Sequence, residues 1–168
     1  MMWLTGGVSV VDRKPRVLFL CTHNAARSQI AEGILRDLSK GTVEVYSAGT
    51  EPTDVHPLAI RALQEMGTDI SAQRSKYVDE FAGQTFDFVV TLCDNAREVC
   101  PVFPGAPERI HWSFSDPGAV QGTEEERLQS FSQTARELAM RLRPFLSLVE
   151  RPHSNIGVIV PCASQDSA

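Results

Sequence analysis

Val17-Leu18-Phe19-Leu20-Cys21-Thr22-His23-Asn24-Ala25-Ala26-Arg27-Ser28 is an apolar run that stops at a cysteine, followed after five residues by an arginine and a serine. An amphipathic pattern then begins at Ile30, Ala31, Ile34, Leu35 and Leu38, spaced for one face of a helix. Strand, tight loop and helix in this order turn successive backbone N–H groups and a helix N-terminus into one small concavity, which suits a tetrahedral oxyanion. A thiol on its rim is favoured as the thiolate, the form that attacks. Arg27 adds a planar, permanently charged fork able to hold two oxygens of one anion. Cys21 is therefore the candidate nucleophile, and Thr22, His23, Asn24, Ala25, Ala26, Arg27 and Ser28 form the candidate cradle. His23 could act as a base, but backbone donors matter more in such a loop. The competing reading makes Cys21 a buried small hydrophobe and Arg27 a surface residue, and it leaves the constellation unexplained.

The chain around this segment has 168 residues, enough for one domain with a full core. Its 42% hydrophobic and 22% charged residues are ordinary for a soluble globular protein. No apolar stretch approaches the roughly 20 residues that span a bilayer. The first fifteen residues lack a basic segment before a long apolar core, so no secretory signal is expected. A cytoplasmic protein without membrane contact is the expectation. The net charge of −5 and the absence of a Lys/Arg stripe argue against nucleic acid. An oxyanion site here has to be a local positive pocket in an acidic molecule. Four cysteines suggest catalytic or redox chemistry rather than structural disulfides. Metal ligation is disfavoured because Cys93 and Cys100 do not form a Cys-x2-Cys pair and no spaced His follows.

Strand and helix patterns alternate along the chain. Residues 16–20 read as a buried strand and 28–38 as a helix ending near Gly41. Residues 43–47 read as a second strand, stopped by Ala48-Gly49-Thr50. Residues 56–66 carry helical spacing, with Pro57 suited to the first turn and Gly67 to the C-cap. A short helix is expected at 78–82, a third strand at 86–92 and a fourth at 109–112. A long helix is expected within 123–149, which Pro144 should kink or end. The pattern predicts a single-domain, three-layer α/β/α sandwich on a four-stranded parallel sheet. Ligands of such sheets sit beyond the carboxyl ends of the strands, where Cys21 and Cys93 both fall. Residues 1–15 read as an N-terminal extension, 16–149 as the domain and 150–168 as a weakly ordered tail, in which 156–160 could dock as an edge strand.

Thr91-Leu92-Cys93-Asp94-Asn95-Ala96-Arg97-Glu98-Val99-Cys100-Pro101 is the second informative segment. Its interior favours a short helix capped by Asp94 or Asn95 and stopped by Pro101. Seven residues of helix would set the two Cα atoms about 10 Å apart, whereas a disulfide needs roughly 7 Å or less. If these cysteines pair, the helix must partly unwind. Arg97 could stabilise a thiolate at Cys93, although a solvated helix residue is the plainer reading. Asp116, in a loop after the last strand, could move protons for a leaving oxygen or an incoming thiol; a turn aspartate before Pro117 is an equal alternative. His56, before Pro57, reads as the N-terminal residue of a helix rather than a ligand.

These segments together resemble the arsenate reductases built on the low-molecular-weight protein tyrosine phosphatase fold, from about Pro15 to Leu148. The markers are Cys-Thr-His-Asn-Ala-Ala-Arg-Ser at 21–28, Ser47-Ala48-Gly49-Thr50, Val90-Thr91-Leu92-Cys93 with Cys100-Pro101, and His111-Trp112 leading into Asp116-Pro117. Gly118 stands where the phosphatases usually carry Tyr after Asp-Pro. The resemblance implies that Cys21 attacks arsenate held by the loop amides and Arg27, with the Ser28 hydroxyl supporting the thiolate. Cys93 then displaces arsenite to give a Cys21–Cys93 disulfide, Cys100 takes over Cys93, and thioredoxin reduces the resulting Cys93–Cys100 bond. Asp116 assists proton transfer, and phosphate or sulfate compete for the cradle. The family commonly has Ser where this chain has Ala25. Some relatives hold a monovalent cation near Asn24, Glu32 and Ser47 with a carboxylate from the neighbourhood of Lys76; a lysine ammonium there would replace the ion, so no metal and no cofactor are expected.

Two other readings stay open at this point. A phosphatase acting on phosphotyrosine or small phosphoesters needs only Cys21, Arg27 and Asp116. A non-catalytic oxyanion-binding module needs the cradle alone. Within the reductase reading, glutathione or mycothiol with a glutaredoxin-type partner would replace thioredoxin if Cys100 is idle; Cys162 in the tail is not expected to substitute.

Overall fold

The computed structural model describes residues 13–105 and 107–152. The terminal segments, with Cys162 and the edge strand suggested at 156–160, lie outside the described residues. Four parallel strands form one sheet: β1 (Arg16–Cys21), β2 (Glu44–Gly49), β3 (Phe88–Thr91) and β4 (Glu108–His111), in spatial order β2-β1-β3-β4. β1 is central and wholly apolar from Val17 to Cys21, as a strand covered on both faces must be. The connecting helices are α1 (Arg27–Ser39), α2 (Pro57–Glu65), the five-residue α3 (Asp94–Glu98) and α4 (Glu124–Val149). Two 3-10 turns, Val78–Phe81 and Pro117–Ala119, complete the elements.

α1, α2 and α4 pack on one another. From α4, Phe145 reaches the sheet, where the rings of Phe19, Phe88 and Trp112 meet it edge-on at centroid distances of 6.4, 5.5 and 5.2 Å. The opposite layer is thinner. Tyr46, Phe81, Phe86 and Phe103 make an edge-to-face cluster under the 78–81 turn.

Element ends differ from the sequence reading where distant chain decides them. β2 runs on through Gly49, because Gly49 pairs with Cys21 and its N–H donates to Lys76 O at 2.8 Å. A Cβ on Gly49 would stand 2.6 Å from Thr22 O, so this strand end can lie against the loop only as glycine. α4 does not stop at Pro144. Pro144 faces solvent, while Leu138, Leu142, Phe145 and Val149 on either side of it are buried and hold the helix on course. α3 is capped by neither Asp94 nor Asn95: Cys93 is the N-cap, its sulfur accepting the Ala96 N–H at 3.4 Å. His56 precedes α2 as its N-cap, Nδ1 accepting the Leu58 N–H at 3.1 Å, with Pro57 in the first turn.

Candidate active site

The loop 22–26 joins the carboxyl end of β1 to the first turn of α1, and one buried residue organises it. Asn24 is fully buried with φ 48°, a left-handed conformation that asparagine tolerates better than most residues. Its Oδ1 accepts the Lys76 N–H at 2.8 Å and Gln29 Nε2 at 2.9 Å, which fixes the way the carboxamide points. Nδ2 therefore donates to Ser28 Oγ at 2.7 Å and to Ser47 Oγ at 3.0 Å. With that lone pair engaged, the Ser28 hydroxyl is free to donate to Cys21 Sγ, 2.8 Å away. The Asn24 N–H reaches the same sulfur at 3.2 Å. Two donors thus converge on Cys21, an arrangement that suits an anionic sulfur.

On its far side this network runs from Ser47 to the buried Glu32 carboxylate, which Arg36 also contacts. Lys76 Nζ lies 3.4 Å from Glu32 Oε2 and donates to Arg74 O at 2.9 Å. Burial pushes the Lys76 ammonium below its usual range, and Glu32 opposes that shift. Lys76, Glu32, Ser47 and Asn24 stand together. Among the described residues no group of three or more His, Cys, Asp or Glu side chains could hold a metal ion.

Arg27 opens α1 and is almost wholly buried. Its Nη1 donates to Phe114 O at 2.9 Å, which tethers it to the loop that carries Asp116. Its Nε is buried without a hydrogen-bond partner, an arrangement that an oxyanion acceptor would complete. The backbone of the rest of the loop is pinned from outside: His23 O accepts the Thr53 N–H at 3.0 Å and Ala25 O the His56 N–H at 2.9 Å. His23 itself is exposed, and Ala26 precedes α1 without a side-chain cap.

The three predicted cysteines in the described residues are all free. Cys93 Sγ lies 3.3 Å from Thr22 Oγ1, which also receives Asn95 Nδ2 at 3.3 Å. The residue next to Cys21 thereby carries the second thiol. Cys100 is not part of this group. It is half-buried, turned toward Pro101 O at 3.6 Å, in a 230 Å³ cavity with Val89, Thr91, Arg97, Arg109, Ile110 and His111. Burial raises its thiol above the usual range, and Arg109 opposes the rise. Asp116 is exposed and caps its own 3-10 turn through the Gly118 N–H at 2.9 Å. It is close enough to His56 to favour that group's charged form. A larger cavity of 520 Å³ lies between the 113–120 loop and α4, and no residue of 21–28 lines it.

Sequence reasoning passed over His111 as a chemical group. Its Nδ1 is 2.8 Å from Thr91 Oγ1 and its Nε2 2.9 Å from Asp94 Oδ1, so it ties the ends of β3 and β4 to the first residue of α3. The available signal was a polar, ring-bearing residue closing a strand on the ligand side of the sheet.

Fold and loop together define the class: the chain belongs to the low molecular weight phosphotyrosine protein phosphatase family, which matches residues 16–155. More particularly, it is similar to an arsenate reductase of Halalkalibacterium halodurans, 43% identical over 132 residues that cover 79% of this chain and 95% of that protein. Among solved structures it resembles an arsenate reductase in the phosphate-binding state, with TM-score 0.65 and 29% identity over 80% of this chain and 98% of the other. It also resembles a thioredoxin-dependent arsenate reductase of Corynebacterium glutamicum, with TM-score 0.58 and 33% identity over 81% of this chain and 65% of that one. Among the described residues no helix is long and apolar enough to cross a membrane.

Proposed function

We propose that this protein reduces arsenate to arsenite through a three-cysteine relay. The observation that carries the reading is the Cys21 sulfur under two donors, with the second thiol, Cys93, held by the adjacent Thr22. Arsenate binds against the amides of residues 22–27 and the Arg27 guanidinium, whose free Nε finds its acceptor there. The Cys21 thiolate attacks arsenic, and the departing oxygen takes a proton from Asp116. Cys93, as thiolate, then attacks Cys21 Sγ. The S–As bond breaks with its electron pair moving to arsenic, so As(V) becomes As(III) and arsenite leaves. A Cys21–Cys93 disulfide remains. Cys100 attacks Cys93, Cys21 departs as thiolate, and the Cys93–Cys100 disulfide passes to an external dithiol. A thioredoxin is the reductant we favour, in keeping with the Corynebacterium glutamicum neighbour. The relay starts from three reduced thiols, so it calls for a reducing, cytoplasmic setting. We further infer that the Lys76 ammonium serves in place of a bound cation beside Glu32.

Phosphate meets the same cradle but cannot accept the electron pair, so a phosphoryl adduct on Cys21 can only be hydrolysed or transferred. A phosphatase uses Cys21, Arg27 and Asp116 and has no need of the Thr22–Cys93 contact. The deciding experiment follows arsenite formation with thioredoxin, thioredoxin reductase and NADPH, beside hydrolysis of an aryl phosphate. We expect arsenite turnover that collapses in Cys93→Ser. Arsenate turnover unchanged in Cys93→Ser would reject the relay, and aryl phosphate hydrolysis without arsenite would make the protein a phosphatase. Tight phosphate binding with neither turnover would leave an oxyanion-binding module.

A further inference from the structure

Two arginines, Arg97 and Arg109, line the cavity beside Cys100. Arg109 rises from the edge strand β4, paired with Val89 of β3, and its Nη2 donates to Pro101 O at 2.9 Å. The Cys100 thiol points at that same carbonyl, at 3.6 Å. Sulfur and guanidinium therefore meet over one acceptor, and both line the 230 Å³ cavity together with Arg97.

That shared acceptor makes the arrangement sensitive to the charge on sulfur. As a thiol, Cys100 donates weakly to the carbonyl. Once its proton has gone to solvent, the same carbonyl repels it, and the Arg109 guanidinium held at that carbonyl offers the opposite sign. Burial works against ionisation here and Arg109 works for it. Without that charge, a half-buried sulfur is a poor attacking group at neutral pH.

We propose that Arg109 is a positioning residue for the resolving step: its guanidinium shares the Pro101 carbonyl with the Cys100 thiol and pairs with the sulfur as the thiol loses its proton, before the segment unwinds to carry it to Cys93. The proposal rests on the relay set out above. In that step the Cys100 thiolate forms a bond to Cys93 Sγ, the Cys21–Cys93 bond breaks, and its electron pair leaves on Cys21 as thiolate. Arg109 stands with Cys100 at the Pro101 carbonyl, apart from the group around Cys21, so the arsenite-releasing half of the reaction does not depend on it.

The test is a single turnover of reduced full-length protein with one equivalent of arsenate and no external reductant, quenched by thiol trapping. Arsenite is measured and the disulfides are mapped by mass, in parallel with the pH dependence of Cys100 alkylation by iodoacetamide. The parent should release one arsenite and accumulate Cys93–Cys100. Arg109→Met should release the same arsenite while Cys21–Cys93 persists, its conversion slowed about tenfold, and Cys100 alkylation should need a higher pH. Arg109→Lys should restore most of both. Arg109 is exposed at an edge strand, so these variants leave the core untouched. Conversion at the parental rate in Arg109→Met overturns the proposal. So does equal slowing in the Met and Lys variants with an unshifted alkylation profile, which marks a packing role. If the parent releases no arsenite, or itself stops at Cys21–Cys93 as Cys100→Ser must, the relay itself has failed, whatever Arg109 does.

Discussion

Asn24 shows how much chemistry one carboxamide can direct. Its acceptor side is occupied by Lys76 N–H and Gln29 Nε2, so its two donors are committed to Ser28 and Ser47. The Ser28 proton is thereby left for Cys21. Asn24→Asp keeps a residue that tolerates the left-handed backbone but sets an acceptor where a donor stood. The Ser28 hydroxyl would then turn to the new carboxylate and leave the sulfur with the Asn24 N–H alone. We expect arsenate kcat/KM to fall about tenfold to a hundredfold, the range for losing one charge-assisted donor, with slower alkylation of Cys21 at neutral pH. Ser28→Ala should produce a loss of similar size. An Asn24→Asp enzyme as fast as the parent would sink the directional argument. At this scale the sequence was legible in kind and illegible in wiring. Cys21, Arg27 and Ser28 declare themselves by spacing along one short segment. That Thr22 would hold Cys93, or that His111 would bridge Thr91 and Asp94, depends on β3 and β4 lying beside β1, and no local pattern carries that information.

The elements that were easiest to read are those whose residues answer only to a core. β1 and α1 follow from an apolar run and a helical stripe. Harder to read are the ends, because a terminus is set by whatever partner it meets: β2 by the close approach of Thr22, α3 by a sulfur cap. α2 shows what such an end does for stability. His56 caps it through Nδ1, which requires the ring unprotonated there, and the ring lies 4.5 Å from Phe131. Burial and then Arg127 hold the imidazole below its usual range, with Asp116 opposing. As pH falls through about 6.5 the unfolded chain takes up this proton before the folded one does, so stability declines toward acid pH. His56→Asn keeps a good cap and removes the titration. The parent should lose more unfolding free energy than His56→Asn between about pH 7.5 and about pH 5.5 in urea titrations; equal losses would refute the assignment. A second element-scale test concerns α4. Pro144 leaves the Met140 carbonyl without its helical N–H, so Pro144→Ala should raise stability by about 1–3 kcal/mol, read as a higher denaturation midpoint.

At the scale of the whole molecule, the sign of the charge runs against the substrate. The chain carries −5, and the segments that pin the anion loop add exposed acids: Glu51 and Asp54 after β2, Asp94 at the start of α3, and Asp116. Against them stands Arg27, almost wholly buried with its Nε unpaired. The composition alone showed that any oxyanion site had to be local. In the proposed site the buried guanidinium and the loop amides would act at contact distance while the carboxylates act across water. Salt separates the two. Exposed charges beyond a Debye length of about 10 Å are screened at roughly 0.1 M ionic strength, and a buried charge much less so. Raising sodium chloride from about 10 to about 100 mM should therefore increase arsenate kcat/KM by up to about threefold, with the gain carried in KM. Neutralising the rim with Glu51→Gln and Asp54→Asn should raise the low-salt value and flatten the salt dependence. A steep fall with salt in the parent would mean that exposed cations, and not Arg27 with the loop amides, draw the anion in.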